Sequence, residues 1–340
     1  GRRISNYTKK RAKPLIKFNK IPFLQYLLNH YSKYSFQNIY ILTGYKGYQF
    51  NIYNNKITNL IPIKCIKEKE PLGTGGALFQ LKKKIKNNFI LVNSDSFIDV
   101  DLNFLLKEKF KKNEIGRMTL IKNKNYFSNK KLSSLKLYKN SLVDYNGNLM
   151  NAGIYYFKKE IFKYFYKKKF SLENDLLPIL INKKKITGNK IDKYFIDIGT
   201  YKNLYDAQKS FVSVFNKPSV FLDRDGVINV DKGYVHKMKD FSLRKNVLSA
   251  LKLLNKKKIN IFIITNQAGI AKGHFTEDTF LKFQRNVKTY FEKKNIFIND
   301  IEYCPYHPKA KILKYKKNSN FRKPGNLMIE KIKKKWGINP

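Results

Sequence analysis

Short apolar runs that recur between helix-like stretches constrain this chain more than any other feature. Residues 38–43, 89–93, 219–222 and 259–265 are strand-length and predominantly apolar, as expected of strands buried on both faces of a parallel sheet. Between them lie stretches with helical patterning, such as 22–28 and 202–215. Alternating strands and helices predict an α/β architecture, and 340 residues suffice for roughly two domains. The second of those helical stretches breaks at Asn216-Lys217-Pro218 and a new strand starts at once, so the predicted domains are 1–216 and 217–340. No apolar run approaches the roughly 20 residues of a membrane span.

Charge and cysteine content narrow the function. The 70 Lys+Arg against 24 Asp+Glu leave a formal charge of +46, a field that would suit nucleic acid or an anionic membrane. The lysines are instead scattered through every segment among abundant Asn, Ile, Tyr and Phe, as in an A+T-rich coding sequence, and no nucleic-acid motif accompanies them. No specific nucleic acid and no membrane partner are expected; a basic protein binding nucleic acid or anionic glycan is the non-enzymatic alternative. The same field attracts phosphorylated sugars and nucleoside triphosphates. Cys65 and Cys304 fall on opposite sides of the division, which predicts no disulfide framework and suits a reducing cytoplasm. Nothing in the sequence indicates an oligomeric state.

The strand at 219–222 runs into Asp223-Arg224-Asp225-Gly226, two carboxylates one residue apart at a strand end, where open parallel sheets collect their chemistry. The strand at 259–265 ends in Thr265-Asn266-Gln267 and a small-residue loop, and Arg322-Lys323-Pro324 follows downstream. An isolated Asp-x-Asp reads as a turn or a cap. Together with the later motifs it supplies what phosphate monoester cleavage needs: a nucleophile in Asp223, an acid/base in Asp225, and Thr265 and Lys323 to hold the phosphoryl group. Mg²⁺ would neutralise the crowded anions.

In this order, with Gly233-Tyr234-Val235 and Cys304-Pro305-Tyr306-His307-Pro308, the motifs resemble the D-glycero-D-manno-heptose 1,7-bisphosphate phosphatases of the haloacid dehalogenase superfamily, from about residue 218 onward. Histidinol phosphatases share much of the pattern and remain an alternative. The resemblance implies a substrate loop at Gly233 and Tyr234, substrate contacts from Asn266 and Gln267, Arg322 on the anionic sugar phosphate, and the Asp223 carboxylate and the Asp225 backbone as Mg²⁺ ligands. Relatives bind zinc through cysteines and a histidine, but Ser319 and Phe321 stand where later cysteines would be, so no zinc is expected. A further acidic Mg²⁺ motif would follow a later strand, which places the expected remainder of this domain beyond Pro340.

The first domain carries Glu70-Pro71-Leu72-Gly73-Thr74-Gly75-Gly76, Asn93-Ser94-Asp95-Ser96, Asn151-Ala152-Gly153, Ser171-Leu172-Glu173 and Phe195-Ile196-Asp197. These resemble the sugar-1-phosphate nucleotidyltransferases, most closely heptose 1-phosphate or mannose 1-phosphate guanylyltransferases, over about residues 1–210. The resemblance implies Asp95 and Asp197 as Mg²⁺ ligands and Arg3 and Lys13 as phosphate cations. It also implies Gly73, Thr74, Gly75 and Gly76 against the nucleotide, and Asn151, Gly153 and Glu173 against the sugar. A first strand and its glycine loop are expected before Gly1. The whole then implies two Rossmann-like three-layer domains, a GT-A-like nucleotidyltransferase followed by a haloacid dehalogenase-like phosphatase. Their expected substrates are sugar phosphates and GTP, in nucleotide-activated heptose synthesis for surface polysaccharide.

Overall fold

The computed structural model of the protein describes residues 4–106, 108–122 and 132–338. The chain forms two compact units, one of Gly1–Ile16, Leu42–Asn51 and Ile66–Lys209, the other of Lys17–Ile41, Ile52–Cys65 and Ser210–Pro340. Two segments that precede residue 216 therefore belong to the second unit. No described helix is long and apolar enough to cross a membrane.

In the first unit the strands are β1 (Phe89–Val92), β2 (Ser96–Ile98), β3 (Gly116–Lys122), β4 (Leu135–Tyr138), β5 (Leu142–Tyr145), β6 (Leu149–Phe157), β7 (Ile186–Lys190) and β8 (Phe195–Asp197). Six of them form a sheet in the order β1-β6-β3-β7-β5-β4. Only β3 and β7 pair in parallel; β6 is antiparallel to both β1 and β3. The expectation of a parallel strand at 89–93 is thus corrected, since β1 runs against β6 with Val92 opposite Ile154 and Phe89 opposite Phe157. An apolar run reports burial but not direction, which is set by the partner strand. The β6–β3 register shifts between Asn151 and Tyr155, around Gly153 at φ +79°, a left-handed conformation open to glycine. Strands β2 and β8 make a separate antiparallel pair that sets Asp197 opposite Ser96.

The second unit is built on a parallel sheet, β9 (Ser219–Leu222), β10 (Asn260–Asn266) and β11 (Asp300–Cys304), with β10 in the middle. Strand periodicity divides β10 between two layers. Ile261 and Ile263 face Phe280, Phe283, Val287 and Phe291, whereas Phe262 and Ile264 face Met328, Ile332 and Trp336. The helix Glu277–Lys293 covers the first face. Thr276 caps it by accepting from the Thr279 amide at 3.1 Å, and acidic residues at its start and Lys293 at its end match the helix dipole. Two polar residues, Gln284 and Lys288, interrupt its buried stripe. The helix Leu327–Trp336 covers the opposite face.

Candidate active sites

In the second unit β9 and β10 lie side by side, so Asp223 and Thr265 emerge from neighbouring strand ends. Asp223 Oδ1 accepts from the Arg224 amide at 2.8 Å, and Oδ2 pairs with the Lys323 ammonium. Lys323 is held in place from its backbone: Asn266 accepts from the Lys323 amide at 3.0 Å and donates to its carbonyl at 3.2 Å. Gln267 joins the two strand ends, donating to Asp225 Oδ2 at 2.9 Å and to the buried Thr265 hydroxyl at 2.8 Å. The Asp223, Asp225, Thr265, Asn266, Gln267 and Lys323 group named from the sequence is therefore one connected cluster.

Three further residues complete it. Arg224 is fully buried and sits over the Phe280 and Phe283 rings. Its Nη2 donates to both Asp225 oxygens, at 2.9 and 2.8 Å, and to the Val235 carbonyl at 2.8 Å; its Nη1 donates to Gln284 at 3.2 Å. Burial pulls the guanidinium's pKa down, and the Asp225 charge opposes that shift. Asn229 donates to Asp225 Oδ1 at 3.0 Å. The sequence signal for Arg224 was its place between two carboxylates, and for Gln284 a polar residue within an apolar helical stripe.

The proposed substrate residues lie around this cluster. Gly233 and Tyr234 both have positive φ, at +69° and +51°. Tyr234 is exposed, stacks on His274 with ring centres 4.3 Å apart, and accepts from Lys272 at 2.8 Å. Arg322 carries a buried Nη1 with no hydrogen-bond partner among the described residues, an atom an anionic oxygen would satisfy. Burial pushes the Cys304 thiol upward, and its sulfur lies 3.8 Å from the Tyr306 carbonyl. His307 Nδ1 accepts from the Lys309 amide at 3.1 Å. Among the described residues no group of three or more His, Cys, Asp and Glu gathers as a metal cage.

In the first unit Lys13 donates to Asp95 Oδ2 at 2.8 Å. Asp197 accepts from Ser96 Oγ at 3.1 Å and from the Gly199 amide at 2.7 Å. Burial first, and the Asp95 carboxylate second, raise the pKa of Asp197. Glu173 accepts from the Thr74 hydroxyl at 2.5 Å, and that hydroxyl accepts from the Leu172 amide at 2.9 Å. Asn151 accepts from the Gly153 amide at 3.0 Å and donates to the Tyr155 hydroxyl. Tyr155 is held well above the ordinary phenol range by burial and by the Glu173 charge. Arg3 lies outside the described residues.

The glycines meet protein before they meet any ligand. A Cβ on Gly73 would lie 2.5 Å from the Phe170 carbonyl oxygen, one on Gly75 2.1 Å from the Phe170 ring, and one on Gly76 2.2 Å from the Lys168 carbonyl oxygen. The Gly75 and Gly76 amides both donate to the Phe170 carbonyl, at 3.0 and 3.3 Å. In this arrangement the glycine turn docks the 168–173 segment and so carries Glu173 to Thr74.

Residues 1–130 match the nucleotidyl transferase family model, and residues 220–338 match the polynucleotide kinase 3 phosphatase model. The chain thus joins a segment similar to nucleotidyl transferases to one similar to heptose bisphosphate phosphatases. Among relatives, the D-glycero-beta-D-manno-heptose-1,7-bisphosphate 7-phosphatase of Photorhabdus laumondii is 38% identical over 122 residues, which cover 36% of this chain and 65% of that one. The chain therefore spans just under two thirds of the length of that relative. A Bacillus anthracis structure assigned as a glucose-1-phosphate thymidylyltransferase shares the fold of the first segment. It has a TM-score of 0.51 at 16% identity, over 61% of this chain and 89% of that one. HddC from Yersinia pseudotuberculosis aligns at 26% identity with a TM-score of 0.48, over 58% of this chain and 89% of that one.

Proposed function

We propose that the chain carries two activities of one pathway: a phosphatase that removes the 7-phosphate of heptose 1,7-bisphosphate, and a guanylyltransferase that joins heptose 1-phosphate to GTP and releases pyrophosphate. The observation that carries the first half is the Asp223–Lys323 pair at a strand end where Arg224, Asn229 and Gln267 fix Asp225. Asp223 attacks phosphorus, forming an aspartyl phosphate as the bond to the sugar oxygen breaks. Asp225 donates a proton to that leaving oxygen, then removes one from the water that hydrolyses the aspartyl phosphate. Lys323 transfers its pairing from Asp223 to the phosphoryl oxygens, and the partnerless Arg322 Nη1 supports an anionic sugar phosphate nearby. The name of the Photorhabdus relative, a heptose bisphosphate 7-phosphatase, supports a heptose substrate.

Both sites suit Mg²⁺. That ion is often held by one or two carboxylates together with substrate phosphates and water, and here Asp95 with Asp197, and Asp223 with the Asp225 carbonyl, would hold it. The raised pKa of Asp197 beside Asp95 marks a carboxylate pair that a divalent cation would relieve. When bound, the ion spreads the charge of the phosphoryl groups. Lys13, paired with Asp95, would exchange it for a phosphate oxygen, and Glu173, held by Thr74, would accept from sugar hydroxyls.

The test uses the full chain with Mg²⁺. Phosphate release from heptose 1,7-bisphosphate is expected and should vanish in Asp223→Asn; pyrophosphate release is expected from GTP with heptose 1-phosphate. A well-folded chain that releases neither product refutes the reading.

A further inference from the structure

The helix Glu277–Lys293 serves two masters within the second unit. Toward its start, Gln284 accepts from Arg224 and the Phe280 and Phe283 rings lie under the guanidinium that holds Asp225. One turn further on, the buried Lys288 ammonium donates to three backbone carbonyls, those of Ser32, Tyr34 and Asn59, at 3.0 Å to Tyr34 and 3.2 Å to Asn59. Arg285 donates to the Leu60 carbonyl at 3.0 Å, and Glu292 accepts from the Ser35 amide at 2.8 Å. Asn59 in turn donates to the carbonyls of Ser32, Ile298 and Asn299, each at 3.0 Å.

The local backbone at 59–60 points the same way. Ile57–Thr58 pairs antiparallel with residues 61–62, with Thr58 opposite Ile61, so Asn59 and Leu60 form a two-residue hairpin turn. Both have positive φ, +41° and +69°. Such a turn favours Asn followed by Gly, and a leucine there costs about 1–2 kcal/mol. Leu60 is 3% exposed and belongs to the same buried cluster as Phe280, Phe283 and Val287. Leu60 thus strains its own turn while filling the core beneath the helix Glu277–Lys293.

We infer that the hairpin tip Asn59-Leu60 and the adjoining carbonyls of residues 32 and 34 are a built-in positioning element of the phosphatase site, acting through Lys288 and the helix Glu277–Lys293 on Arg224 and Asp225. Lys288 and Leu60 are positioning residues; neither touches substrate. The inference rests on the phosphatase reading above, and its test separates the two.

Full-length wild type, Leu60→Gly, Lys288→Met and Lys288→Arg are compared by steady-state hydrolysis of heptose 1,7-bisphosphate with Mg²⁺ and by amide hydrogen exchange. Leu60→Gly relaxes the turn, so a residue important only to its hairpin would leave the phosphatase untouched or improved. The expected result is a fall in kcat on the order of tenfold, with KM unchanged, in Leu60→Gly and Lys288→Met. Exchange should be faster both in 277–293 and in 224–229, and Lys288→Arg should recover most of the kcat. Wild-type kcat in both variants, or faster exchange confined to 277–293, overturns the inference. If the wild type itself releases no phosphate, the functional reading fails, and exchange at 224–229 alone decides: faster exchange there upholds the positioning role and unchanged exchange refutes it.

Discussion

Replacing Arg224 by methionine is the sharpest perturbation of the phosphatase-like unit. The wild-type guanidinium is fully buried and supplies hydrogen bonds to both Asp225 oxygens, the Val235 carbonyl and Gln284. Methionine fills much of the volume but leaves Asp225 with Asn229 and Gln267 as neutral donors, and strands the Val235 carbonyl. Gln284 Nε2 already lacks a partner, so the whole amide would then be unpaired. Removing one member of a buried ion pair costs roughly 3–5 kcal/mol. Because the Asp225 side chain keeps 20% of its exposure, the lower end applies, about 3 kcal/mol. The chain's single tryptophan, Trp336, is buried against Phe262 in the same unit, so its fluorescence during urea unfolding reports this unit directly. With m about 1–3 kcal/mol/M, the midpoint should fall by roughly 1–3 M. The double variant Arg224→Met/Asp225→Asn should recover part of that loss, since the uncompensated carboxylate is gone. A loss below about 1 kcal/mol in the single variant, or a double variant simply additive, would show that the pair is not an energetic unit.

Three further outcomes follow from the same geometry. Gly75→Ala drives a Cβ to 2.1 Å from Phe170, a ring packed 5.0 Å from Phe165; a loss of about 1–3 kcal/mol and weaker nucleotidyl transfer are expected, measured by thermal unfolding and pyrophosphate release, and an unchanged melting curve would disprove the docking role of the turn. Asp197 is a carboxylate with a raised folded pKa, so its contribution to stability is full at low pH and lost as pH rises through that pKa. Asp197→Asn should therefore stabilise the first unit at pH 8 without metal while abolishing the upward melting shift given by Mg²⁺, and a retained shift would remove Asp197 from the ligand set. Lys288 is lowered to about 7 by burial, against the opposing charges of Glu292 and Asp300 and with the help of Lys335. Between that value and the ordinary lysine range the unfolded chain holds a proton the folded chain has released, so stability from this group rises with pH across the window; Trp336-monitored unfolding of wild type against Lys288→Met should lose that slope in the variant.

The motif-bearing strand ends were legible because their chemistry is local. An apolar run followed at once by Asp223 and Asp225, or by Thr265, Asn266 and Gln267, needs only strand geometry to present those groups together, and β9 and β10 do so as adjacent parallel strands. Lys13 and Asp95 were each named from the sequence, but their pairing across the chain is a contact made by the fold. Strand direction was not legible: the apolar residues of β1, all half-buried, do not encode it, and their antiparallel pairing depends on β6, more than fifty residues away.

The sequence alone determined the mixed α/β class and which acidic and cationic side chains stand at the strand ends, because these depend on periodicity and on residues close in the chain. Tertiary structure alone decided that Arg224 would be buried as the anchor of Asp225, that Gly75 would receive Phe170, and that a strained Asn59-Leu60 turn would enter the core beside Phe283. Each of those depends on a partner distant in the chain: Gln284 for the burial of Arg224, Phe170 for Gly75 and Phe283 for Leu60. Burial makes such partnerships strong, through close packing and through the cost of leaving a charge or carbonyl unpaired, and neither effect leaves a mark in a local window of sequence.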